Sequence, residues 1–185
     1  ETYTTEGTIN AGLFPSLGLG AVVEKLGVVN SSLTHTHATA GRRIGAIAGY
    51  IDHYDEVGKE AAYEDYPIIR ECFADTTVYI KGNNGGGLVG SVLRPVRVED
   101  CFFTGTVADT GYGIFGYSKM GYLTDKVLVK NVYAADSAFA IISNTSYDNV
   151  VYENCYSSSA QDSQGVTRLF IDRMCGKNAA EYMLG

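Results

Sequence analysis

The chain repeats itself, and this limits the folds open to it more than any other feature. GAIAG (45–49), GGLVG (86–90), YGIFG (112–116) and FAIIS (139–143) share a small-apolar-apolar-small core. A second block follows each one: IIRECFADTTV (68–78), VRVEDCFFTGTV (96–107), VLVKNVYAADS (127–137) and VVYENCYSSSA (150–160). These read as apolar-x-apolar-x, then an acid or amide, then Cys or Val, then an aromatic. A looser copy, AGLFPSLG (11–18) with VVEKLGVVNSSLT (22–34), comes first. The chain therefore holds about five copies, of about 23 to 41 residues each.

The second blocks alternate apolar and polar residues, which is the period of a strand. The first blocks are too short for helices and are closed by Gly. Turns rich in Gly, Asn, Asp and Ser join them, such as KGNNGG (81–86), ADTG (108–111) and NTSYDN (144–149). No ten-residue amphipathic helix lies between strands, which argues against a βαβ sheet. Short strands in tandem, with like residues at like positions, predict an all-β fold. The expected form is a right-handed parallel β-helix of about five short coils, like side chains forming ladders along its axis. Among the 22 glycines, Gly49, Gly90 and Gly116 recur at one place in the repeat. They are expected at sharp corners, where Gly takes a positive φ.

The expected division is one domain, 1–185, with a first coil or edge at 1–20, repeats at 21–162 and a small helical cap at 163–185. The cap rests on VTRLFIDRM (166–174), whose apolar residues have helical spacing, and on a second short helix from Asn178. The chain starts at Glu1 without a signal-peptide pattern, and so reads as a mature product or as a piece cut from a longer protein.

GGLVG, with its following apolar-x-acid-Cys-Phe block and Thr-Val ending, resembles the GLUG repeat of large bacterial surface and secreted proteins. The resemblance spans residues 11 to 183. FAIIS departs from it with Ser143 in place of Gly, and residues 50–67 are an insertion. It implies a β-helix and an extracellular or cell-surface setting. Such modules occur in adhesin-like chains and beside the catalytic parts of IgA-cleaving metallopeptidases.

Charge and hydropathy narrow the partners. Net charge is -7, which argues against a nucleic-acid binder. The longest apolar runs are too short to span a bilayer. The partners left are a glycan, an extracellular protein and other domains of a parent chain.

Five chemical readings remain. Three of the four cysteines, Cys72, Cys101 and Cys155, hold one position in successive blocks, with Val132 in that place in the other. This reads as an inward ladder of free thiols, with disulfide and metal as weaker alternatives. Cys175 lies in the tail. His35 and His37 alternate on one face and lack an assignable third ligand, with His53 in another loop. The 50–67 insertion is rich in carboxylates, and Asp52, Asp55 and Glu56 are candidate calcium ligands, although the spacing is not that of an EF-hand loop. Calcium is the one cofactor the sequence raises.

One edge of the solenoid is expected to collect Tyr54, Tyr63, Tyr66, Arg94, Tyr117, Tyr122 and Tyr147 as a ligand-binding surface, since Tyr offers an apolar ring and a polar tip. Catalysis has less support: GxSxG and HExxH are both lacking. Glu71, Asp100 and Glu153, in series with Asn131 and Asn154, are read as an outward row. Two such carboxylates about 5–10 Å apart would suit a glycosidase. The functional expectation is a non-catalytic binding, adhesive or spacer module. A carbohydrate-active β-helix and a metallopeptidase flank are the alternatives.

Overall fold

The computed structural model describes residues 9–34, 42–51, 62–82, 85–108, 111–118, 126–135, 150–158 and 165–168. Strands form where the sequence alternates, and they recur in sets that follow the repeats. The first set is β1 (Ile9–Ala11), β2 (Phe14–Leu17), β3 (Val22–Glu24), β4 (Gly27–Val28) and β5 (Ser32–Thr34). The second is β6 (Arg42–Gly45), β7 (Ala48–Ile51), β8 (Ile68–Arg70), β9 (Phe73–Ala74) and β10 (Tyr79–Lys81). The third is β11 (Gly85–Gly86), β12 (Val89–Val92), β13 (Val96–Glu99), β14 (Phe102–Phe103) and β15 (Thr106–Ala108). Then come β16 (Phe115–Ser118), β17 (Val127–Lys130), β18 (Tyr133–Ala134), β19 (Val150–Glu153), β20 (Cys155–Ser157) and β21 (Val166–Arg168).

The fold is all-β, and its strands pair in parallel. Five sheets result, in the orders β1-β6-β11, β2-β7-β12-β16, β3-β8-β13-β17-β19, β4-β9-β14-β18-β20-β21 and β5-β10-β15. The pairing keeps like positions in register. Val23, Ile69, Val98 and Val129 follow one another across the third sheet, and all are buried. Ala74, Phe103 and Ala134 do the same in the fourth. The alternate residues point out, which is the half-polar pattern of the sequence. The core is one cluster of inward side chains from these columns, joined by Ile47, Leu88 and Ile114 at the centres of the first blocks.

The glycines act differently from the expectation. The positive-φ glycines among the described residues are Gly20 and Gly165. Gly49 and Gly90 instead lie within strands β7 and β12. A Cβ on Gly49 would fall 2.6 Å from Asn10 C, and one on Gly90 would fall 2.6 Å from Gly49 O. They are required because backbones of successive repeats touch there, so the constraint is space and not dihedral angle.

The cap is also corrected at its start. Val166–Arg168 is a strand, with Val166 opposite Cys155 and Arg168 opposite Ser157. The free edge of β20 offers backbone donors and acceptors that an added strand satisfies and a helix would not. Residues 169–185, including Cys175, lie outside the described residues.

A candidate ligand-binding groove

The sharp bends that glycine was expected to make are made by other residues. Where the third sheet passes into the fourth, one residue per repeat takes a left-handed conformation: Lys25 (φ 55°), Glu71 (53°), Asp100 (54°), Asn131 (52°) and Asn154 (52°). For non-glycine residues this costs about 1–2 kcal/mol, and least for Asn and Asp, whose short side chains bond locally. The backbone recovers part of that cost in hydrogen bonds to the next repeat. Asp100 N donates to Lys130 O at 3.0 Å, and Asn131 N to Glu153 O at 2.9 Å. The side chains link as well. Asn131 Nδ2 donates to Asp100 Oδ1 at 2.7 Å, and Asn154 Nδ2 to Asn131 Oδ1 at 3.2 Å. An exposed carboxylate–amide–amide row results.

The residue after each bend turns inward, giving the ladder Cys72, Cys101, Val132, Cys155. The three cysteines are free and buried. Each thiol has two carbonyls within reach of its one proton, one two residues back and one in the preceding repeat. For Cys101 these are Glu99 O at 3.1 Å and Ile69 O at 3.5 Å. Cys155 uses Glu153 O at 3.3 Å and Val129 O at 3.2 Å. The Cys72 thiol beside it, and then burial, push the Cys101 thiol up. Burial pushes Cys155 up as well.

One residue further on, the side chains face out again and are aromatic. Phe73 stacks on Phe102 at 4.9 Å and 10°, and Phe102 on Tyr133 at 5.0 Å and 4°. Tyr156 is the next register partner of Tyr133. The spacing follows from the separation of paired strands, about 4.8 Å, so the ring stack is a consequence of register.

Between the two rows lies a groove of about 290 Å³, lined by Asp100, Asn131 and Asn154 on one side and by Phe102, Tyr133 and Tyr156 on the other, with Cys101 and Val132 between them. Its lining holds one carboxylate, two amides and three aromatic rings, and no base. Such a wall accepts and donates hydrogen bonds to neutral hydroxyls and offers ring edges to C–H surfaces. It gives nothing to pair with a phosphate or sulfate.

Four of the residues expected to form a tyrosine edge, Tyr63, Tyr66, Arg94 and Tyr117, are among the described residues. Tyr63 is exposed, in a 3₁₀ turn at Tyr63–Asp65, 5.6 Å from the half-buried Tyr66. The Arg97 guanidinium lies 4.7 Å over the Tyr63 ring. Arg94 is half-buried after β12, and Tyr117 is half-buried in β16, two repeats along from the buried Tyr50. Tyr54, Tyr122 and Tyr147, the calcium candidates Asp52, Asp55 and Glu56, and all three histidines lie outside the described residues. Among the described residues no group of three or more His, Cys, Asp or Glu is placed to hold a metal ion.

The carboxylate row needs a correction of one residue. Glu153 pairs in register with Lys130, itself opposite Glu99, while Asn154 takes the place after it beside Asn131. The row is thus Glu71, Asp100, Asn131, Asn154. The ENC of the last block aligns with the EDC of the third, a match visible in the sequence. The same i, i+2 spacing of Asp/Asn and Phe/Tyr was the available signal for the groove.

A second column was missed. Glu24, Arg70, Glu99, Lys130 and Glu153 are successive register partners, with alternating sign. Arg70 bridges Glu24 at 2.5 Å, Lys130 bridges Glu153 at 2.8 Å, and Arg97 bridges Glu99 at 2.8 Å within β13. No helix among the described residues is long and apolar enough to cross a membrane. No protein-family model, curated protein or solved structure matches the chain.

Proposed function

We propose that this chain is a non-catalytic binding module, a right-handed parallel β-helix of five short coils from a bacterial surface or secreted protein of GLUG-repeat type. It holds a neutral glycan in the groove between the Asp100–Asn131–Asn154 row and the Phe102–Tyr133–Tyr156 row. The observation that carries this reading is the lining itself: amides and a carboxylate facing aromatic edges, without a base. Its volume sits at the lower end of the ~300–1,000 Å³ of small-molecule sites, which suits one end or a short stretch of a sugar chain.

The ring stack shapes the expected binding mode. The faces of Phe102 are occupied by Phe73 and Tyr133, so a sugar meets ring edges and its hydroxyls meet the amides. Against a glycosidase stands the exposure of Glu71 and Asp100, since a general acid of that class is held protonated by burial. Glu153 is engaged by Lys130.

A glycan array of neutral and anionic oligosaccharides, probed with the wild type and with Asn131→Ala and Tyr133→Ala, tests the reading. Binding of neutral glycans that both variants weaken supports it. Binding confined to anionic glycans, or unchanged in both variants, sinks it. Release of reducing ends or unsaturated products from a bound polysaccharide would establish the carbohydrate-active alternative.

A further inference from the structure

All five sheets end on a strand of the first set: β1, β2, β3, β4 and β5 are each terminal in their sheet. Among the described residues no strand pairs with their outer sides. The side chains record the same thing. Phe14 shares its column with Ala48, Val89 and Phe115, which are fully buried, yet it is 38% exposed. Leu13 (57%), Val22 (53%) and Val29 (45%) are exposed in the same set, and they make up, with Phe14, most of the large exposed apolar side chains. An open sheet edge beside exposed apolar groups is the arrangement to which an extended segment adds as a further strand.

The charges say which segment. In the third sheet Glu99 lies between Arg70 and Lys130, a base on each side. Glu24 has Arg70 on one side and an open edge on the other. Next to it, Lys25 ends the row of left-handed residues, with Glu71 following it in that row. The sign alternation therefore continues outward as a base opposite Glu24 followed by an acid or amide opposite Lys25. Two occupants within this chain fail that requirement. Residues 1–8, ETYTTEGT, carry two acids and no base. A second copy stacked head to tail would bring the other end of the sheet, where β19 closes the column with Glu153, against Glu24. Like charges directly opposite are destabilising.

We propose that the outer edge of β3 and β4 is a docking surface for a parallel β-strand of a different polypeptide segment, one that places Arg or Lys opposite Glu24 and an acidic or amide residue opposite Lys25. Apolar side chains flanking that pair cover the exposed residues of the first set. This surface is separate from the groove and does not depend on it.

The probe is a fluorescein-labelled peptide of residues 67–78 with Cys72→Val, which carries the Ile-Ile-Arg-Glu order that pairs with β3 from its other side. A second peptide carries Arg70→Glu as well. Anisotropy is measured against the whole protein and against its Glu24→Lys variant, with the fold of both checked by circular dichroism. Expected is binding of the Arg peptide about tenfold tighter than the Glu peptide, with the preference reversed by Glu24→Lys. Hydrogen exchange of the complex is expected to protect amides in 22–28. Binding by neither peptide, a preference that Glu24→Lys leaves unchanged, or protection located elsewhere overturns the proposal. So does a micromolar dimer in sedimentation that protects amides in 22–28, which would make a second copy the occupant.

Discussion

Arg70 grips a single oxygen of Glu24, donating to Oε2 from Nε at 2.8 Å and from Nη2 at 2.5 Å across the β8–β3 pair. The side chain of Arg70, then its charge, hold the Glu24 carboxyl below its ordinary value. A carboxylate with a depressed folded value contributes stability above its unfolded pKa and loses it as pH falls through the folded one. Wild type and Glu24→Gln are therefore expected to differ in Tm by a constant amount from pH 7 to about 5 and to converge as pH falls through the lowered value of the Glu24 carboxyl. Both side chains are about two-fifths exposed, so 1 M salt should shrink the difference too. A gap that stays constant down to pH 2.5 would show that the pair does not stabilise the fold.

The glycines supply a contrast in which identical substitutions have opposite outcomes. Gly90 has no room for a Cβ, which would lie on Ile44 N, Arg43 C and Gly49 O. Those are backbone atoms held by the ladder, and relief requires separating two repeats. Gly90→Ala is expected to cost about 3 kcal/mol or more in urea unfolding. Gly18 meets nothing within 4 Å and has no positive φ. Gly18→Ala should be neutral or stabilising by about 0.4–1 kcal/mol, through the unfolded chain. Equal effects at the two positions would refute the close-approach account.

This contrast also shows what the sequence could reveal. The spacing of GAIAG and GGLVG was enough to place Val89 beside Ala48, because register in a two-residue period is set by the apolar pattern. The reason for the glycines was not legible, since a tight turn and a close approach select the same residue. The bends fell instead on Glu71 and Lys25, which have no preference for a left-handed conformation, so no local signal marked them. The groove depends on residues from three repeats meeting across a bend. Its ingredients, Asp100 with Phe102 and Asn131 with Tyr133, were in the aligned blocks, but the exposure of both rows on one side of the chain became visible only with the fold.

The left-handed row yields a stability prediction of either sign. Glu71 holds φ 53° without the local bonding of an Asn. Glu71→Asn is expected to stabilise by roughly 0.5–1 kcal/mol. Asn131→Ala should cost roughly 1–2 kcal/mol, while Asn131→Gly, which relieves the backbone but still lacks the amide link to Asp100, should cost less. If Ala and Gly at 131 are equally damaging, the amide row and not the backbone angle is the main contribution.

The buried thiols make the last prediction. Cys101 is 1% exposed and Cys155 2%, both are pushed up in pKa, and both donate to backbone carbonyls. A reagent that needs an exposed thiolate should leave them unmodified until the sheets open. Native protein treated with a thiol reagent and mapped by mass spectrometry is expected to show no label at Cys101 or Cys155. Their labelling should rise together with denaturant, along the unfolding transition followed by circular dichroism. Val132 already fills one place in this ladder and is fully buried, so Cys101→Val should cost less than about 1.5 kcal/mol. Cys101→Asp would put a charge in the same place without a partner and should prevent folding. Rapid labelling of Cys101 in the native state would mean that this part of the ladder opens locally, independently of the rest of the stack.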